Sequence, residues 1–106
     1  GFDWPDISGV TDKISEEIDE LNEARDELSL DAQEEEYGDL MFVMVNFARH
    51  LNIDPEKALR AANRKFRLRF EEVEKELALN GKTPIQSSLT EMDILWNKVK
   101  KRENNR

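Results

Sequence analysis

EEEYGDLMFVMVNFARHL, residues 34–51, decides the fold. Leu40, Val43, Phe47 and Leu51 recur at steps of three and four, the repeat of one helical face. The inner run LMFVMVNFA, residues 40–48, is apolar nearly all round, which implies burial on more than one side. Four helices in a chain of 106 residues hardly cover such a segment, so a second subunit is expected to cover the remainder. Glu36 continues the stripe one step upstream and Asp39 flanks it. Between them stands Gly38, which in a helix interior costs about 1 kcal/mol relative to alanine and calls for a close helix contact or a ligand.

Upstream, GFDWPD reads as an irregular arm, and Ser8 as the N-cap of a first helix over 9–28 with Val10, Ile14, Ile18, Leu21 and Leu28 on one face. The break at SLD precedes a capping box of Asp31 and Glu34, which starts the second helix, 32–52. Downstream, Asp54 and Pro55 open a third helix over 55–80, stopped by Gly81. Its core face is Leu59, Phe66, Phe70, Val73 and Leu77. GKTPIQSSL is a loop, and Thr90 caps a last helix, 91–102, carrying Met92, Leu95, Trp96 and Val99. No alternating β pattern appears, so the expected fold is all-α, a four-helix core dimerising through its apolar second helix.

Four acids share a phase relative to these stripes. Glu17 falls inside the first stripe, between Ile14 and Leu21, and Glu20 lies at its edge; Glu36 and Asp39 repeat the arrangement on the second helix. Residues three apart sit about 60° from each other on adjoining turns, within reach of one ligand. A buried unpaired carboxylate costs several kcal/mol and four close together repel, so a positive group must compensate them. A divalent cation does so, Mg²⁺ first and Mn²⁺ as a substitute. Glu16, off the stripe, is either a water-orienting acid or a surface residue.

Composition narrows the chemistry. There is no cysteine, which excludes disulfides and thiolate metal sites, and one histidine, His50, which excludes the paired ExxH ligands of di-iron bundles. The metal is therefore hard and held by oxygen. A net charge of −8 argues against a nucleic-acid duplex as partner. No apolar run approaches the roughly 20 residues of a membrane span, and no signal-peptide pattern is present, so a cytoplasmic protein is expected. The chain starts at Gly1 rather than methionine, and reads as one domain, 1–106, excised from a longer two-domain protein.

On the third helix Lys65 and Arg69, four apart, border the core face, where cationic heads reach a site while their stems pack on the core. They either neutralise phosphate oxygens that a metal leaves free or form ordinary ion pairs. Asn46, seven after Asp39 and so on the same face, offers an amide to a ligand or is satisfied by backbone. Trp96 with Lys100 supplies a stacking plane and a phosphate contact, or Trp96 is core beside Met92 and Val99. Trp4 caps a base or anchors the arm, and His50 is a helix-terminal cation or a surface residue.

EExxE at Glu16, Glu17 and Glu20, followed by ExxD at Glu36 to Asp39, resembles the signature of the all-α nucleoside triphosphate pyrophosphohydrolases, the MazG superfamily. GFDWPD, EEIDEL, EEEYGDL, VNFARHL, ANRKFRLRF and the terminal tryptophan helix extend the likeness, in order, across nearly the whole chain, which resembles that family's C-terminal catalytic domain. The resemblance implies a Mg²⁺-dependent homodimer cleaving nucleoside triphosphates between the α and β phosphates to monophosphate and pyrophosphate. It makes Glu17, Glu20, Glu36 and Asp39 metal ligands, Lys65 and Arg69 phosphate contacts, and Trp96 and Lys100 residues near the nucleotide. Glu16 or one of the ligand acids would position the attacking water. From a different class, a helical module that binds nucleotide or Mg²⁺ without turnover, or only dimerises, is the alternative.

Overall fold

Asp6, not Ser8, opens the first helix. In a computed structural model that describes residues 1–27 and 29–105, the Asp6 carboxylate accepts from the Ser8 and Gly9 backbone N–H groups at 3.0 and 3.3 Å. An ionised carboxylate suits the positive end of a helix, and Ser8 is drawn into the cap by donating its own hydroxyl to Asp6. The order is α1 (Ile7–Ala24), α2 (Leu30–His50), α3 (Pro55–Leu79), a 3₁₀ turn (Pro84–Gln86) and α4 (Leu89–Asn104). No strand occurs among the described residues, and the all-α class stands. No described helix is long and apolar enough to cross a membrane.

The N-caps of α2 and α4 also differ from expectation. Ser29, rather than Asp31, caps α2 by accepting from Ala32 N–H at 3.2 Å, which leaves Asp31 as an acid in the first turn. Ser88, rather than Thr90, caps α4 through Glu91 N–H at 3.1 Å. In both cases an earlier serine supplies the hydroxyl, and the helix gains a residue or two at its start. α1 ends at Ala24, short of the expected 28; Leu28 lies outside the described residues. α2 stops at His50 because Asn52 takes φ 58° and Ile53 N–H reaches back to Ala48 O at 2.8 Å. Gly81, φ 70°, ends α3 the same way with Lys82 N–H on Leu77 O at 3.0 Å, as its sequence position predicts. Asp54 caps α3 by accepting from Glu56 and Lys57 N–H.

The chain divides into two units, Gly1–Ala58 and Leu59–Arg106. In the first, α1 and α2 pair across a short turn, tied by Gln33 Nε2 donating to Arg25 O at 2.7 Å. Val10, Val43 and Ala48 are its buried apolar residues, with Glu17 and Asn46 buried among polar ones. The outer face of α2 stays open: Met41, Phe42, Met44 and Val45 are exposed, Phe42 at 74%. In the second unit Val73, Leu77 and Val99 form the core, with Phe70, Met92, Leu95 and Trp96 against it. Leu59 and Phe66, expected on the core face of α3, are exposed, although one side of Phe66 meets Trp96 of α4.

Candidate metal and nucleotide site

Glu17 is the acid that helical phase placed in the apolar face, and the fold buries it to 8% exposure. α1 and α2 run side by side so that one carboxylate oxygen each from Glu17, Glu20 and Glu36 lie within 4.8 Å of one another. Mutual repulsion follows. Glu17 beside it, then desolvation and Glu16, raise the Glu20 carboxyl above the usual carboxylate range, and Glu36 adds to the effect. Asp39 is exposed and stands outside this three-oxygen group. Glu16 is exposed as well and binds Lys13 Nζ at 3.3 Å.

Lys13 is the residue that the sequence reading missed. Its ammonium lies 3.1 Å from Glu17 Oε1, and the hydrogen bonds to Glu17 and then Glu16 raise its pKa, so it is the resident counter-charge. The signal was present as an i, i+4 spacing to Glu17 and i, i+3 to Glu16.

Asn46, 6% exposed, is satisfied by side chains rather than by backbone. Its Nδ2 donates to Asp3 Oδ1 at 2.8 Å, and its Oδ1 accepts from Arg49 Nη1 at 2.9 Å. Asp3 further accepts from Trp4 N–H at 2.7 Å and pairs with Arg49 Nη2 at 3.5 Å. His50 Nε2, 3.3 Å from Asp3 Oδ2, is buried without an aligned hydrogen bond. The Asn46 amide leads the groups that hold the Asp3 carboxyl down at about 2. Trp4 anchors the arm by lying on Gly9, where a Cβ would meet its ring carbon at 2.8 Å. The arm and α2 enclose a groove of about 350 Å³ lined by Trp4, Phe42 and Arg49 among others.

In the second unit Arg69 donates Nε–H to Glu103 Oε2 at 2.8 Å and lies 5.7 Å above the Trp96 ring. Trp96 packs on Phe66, 5.1 Å between centroids, and borders the Val73–Leu77–Val99 core. Lys65 and Lys100 are exposed on α3 and α4.

All three clustered donors are hard oxygen ligands, and the most buried of them, Glu17, is compensated by Lys13. Residues 6–66, which contain every one of the candidate carboxylates, match the family described as phosphoribosyl-ATP pyrophosphohydrolase. The chain belongs to that family. Over 100 residues, 94% of this chain and 38% of the relative, it is 47% identical to the Thermotoga maritima nucleoside triphosphate pyrophosphohydrolase/pyrophosphatase MazG. Identity is again 47% over 105 residues, 97% of this chain and 40% of the relative, with the nucleoside triphosphate pyrophosphohydrolase of Escherichia coli K12. The chain thus spans about two fifths of the length of these curated relatives. Within the pyrophosphohydrolase family the match ends at Phe66, so Arg69, Trp96 and Lys100 lie beyond it, although both relatives align across that part.

Proposed function

We propose that this domain hydrolyses nucleoside triphosphates to nucleoside monophosphate and pyrophosphate, with Glu17, Glu20, Glu36 and Asp39 holding Mg²⁺. The observation that carries the reading is the convergence of Glu17, Glu20 and Glu36 oxygens within 4.8 Å around a nearly buried carboxylate. Glu17, Glu20 and Glu36 would hold the ion through hard carboxylate oxygens, the ligand type that Mg²⁺ prefers. The donor set fits. Mn²⁺, with similar oxygen preference, substitutes.

When bound, the ion polarises phosphoryl oxygens and offsets the charge that develops on them. The chain's own groups do the rest. Glu16, exposed beside the cluster, orients a water and takes its proton as the oxygen attacks the α phosphorus. The bond from the α phosphorus to the bridging oxygen breaks, and pyrophosphate departs with the electron pair. Within the second unit, Lys65 and Arg69 are the proposed phosphate contacts and Trp96 and Lys100 the proposed nucleotide contacts. Asn46 serves the site indirectly, since both ends of its amide are engaged by Asp3 and Arg49. The exposed face of α2 at Met41, Phe42, Met44 and Val45 supports a homodimer. A cytoplasmic setting belongs to the same reading.

Incubating the protein with each nucleoside triphosphate and Mg²⁺ and measuring pyrophosphate tests it. Turnover in the parent and its loss, by at least about a hundredfold, in Glu36→Ala and Asp39→Ala with an intact helical spectrum is the expected result. No release from any base leaves a binding module, and full activity in either variant removes that residue from the ligand set.

A further inference from the structure

We propose that Glu103 is a positioning residue that sets the orientation of the Arg69 guanidinium for a polyphosphate chain; this rests on the role given to Arg69 above. Arg69 on α3 is held on three sides. Its whole side chain is 17% exposed within the second unit; its guanidinium sits over Trp96 at 5.7 Å; and its Nε edge is taken by Glu103 Oε2 at 2.8 Å. That bond uses one of the five N–H donors of a guanidinium and fixes the direction of the other four, the fork that matches phosphate oxygens. Without it, the head turns about its last torsions and its binding to phosphate carries an ordering cost.

Two observations separate this from a simple helix clasp. The helices are already joined beside the core, where Glu76 receives Arg102 at 2.9 Å and Lys98 at 3.7 Å. Glu103 also stands in the last turn of α4, where the helix dipole disfavours an acid and where its neighbours Lys101 and Arg102 are basic. Its placement there runs against the helix dipole, though not against its basic neighbours, and Arg69 pairs with it directly at 2.8 Å.

The test measures turnover and, in parallel, calorimetric binding of inorganic tripolyphosphate with Mg²⁺ for Glu103→Ala, Glu103→Gln, Arg69→Ala and the Arg69→Ala/Glu103→Ala pair. Expected is a fall of about tenfold in kcat/KM and in tripolyphosphate affinity for Glu103→Ala. Glu103→Gln, whose amide oxygen still accepts from Nε–H, restores most of both. The double variant is no worse than Arg69→Ala, because Glu103 acts through Arg69. Should Glu103→Ala melt below the assay temperature, Glu103→Asp, which keeps the charge but is one methylene short of Nε, replaces it with the same expectation. Parental behaviour in Glu103→Ala, losses that multiply in the double variant, no restoration by glutamine, or an Arg69→Ala without effect overturns the proposal. If no triphosphate is hydrolysed but tripolyphosphate binding follows the expected pattern, the hydrolase reading fails and the role of Glu103 stands.

Discussion

At Glu20 a proton and the proposed metal ion would compete for the same oxygens. Glu17 raises its pKa in the folded chain above the unfolded value, so folding favours the protonated form at this position. The stability linked to that proton is present in acid and is lost as pH rises through the carboxylate range. Mg²⁺ prefers the deprotonated cluster and should raise the melting temperature more at about pH 8 than at about pH 5, with a chelator abolishing the gain. Scanning fluorimetry reads this directly, and an equal shift at both pH values counts against a carboxylate site. Asp3 carries the opposite sign. Its folded pKa of about 2 lies below the ordinary 3.8, so its hold on the arm is full above 3.8 and fades as pH falls toward about 2. In a Trp96→Phe background, Trp4 emission should shift toward that of exposed indole across this window, and Asp3→Asn should show the shift already at neutral pH.

Helices were legible as elements because their apolar period runs uninterrupted, as in Leu40, Val43 and Phe47; their ends were not. Asp6 competes with Ser8, Ser29 with Asp31 and Ser88 with Thr90 within two residues of each other, and the winner depends on which side chain reaches the free N–H groups. The error had a functional cost at α4. Ended at 102, the helix lacks Glu103, and the partner of Arg69 goes unseen; the structure carries it to Asn104. Phase against the stripe did find Glu17, whereas the knot at Asn46 joins residues 43 apart in sequence and no spacing announces it. Gly38 is the open question of α2. Among the described residues nothing lies within 4 Å of where its Cβ would be, and the expected helix contact is not met by them. Gly38→Ala should therefore stabilise by up to about 1 kcal/mol, seen as a higher melting temperature. A fall instead would place a ligand or a second copy against that surface.

Across the molecule, the apolar surface of α2 is the largest unsettled term. If a second copy covers it, Phe42→Asp should turn a dimer into a monomer in sedimentation at micromolar concentration, while a parent that is itself monomeric removes the premise. Charge is the other global quantity. In a chain of net charge −8, Lys13 is the cation that has already reached the most buried acid of the cluster. If a metal ion binds there as proposed, Lys13 would act as a tethered placeholder that the ion has to displace from Glu17. The affinity for Mg²⁺ would then be that of an exchange, weaker than the oxygens alone would give, while the Lys13 ammonium offsets part of the cluster's repulsion.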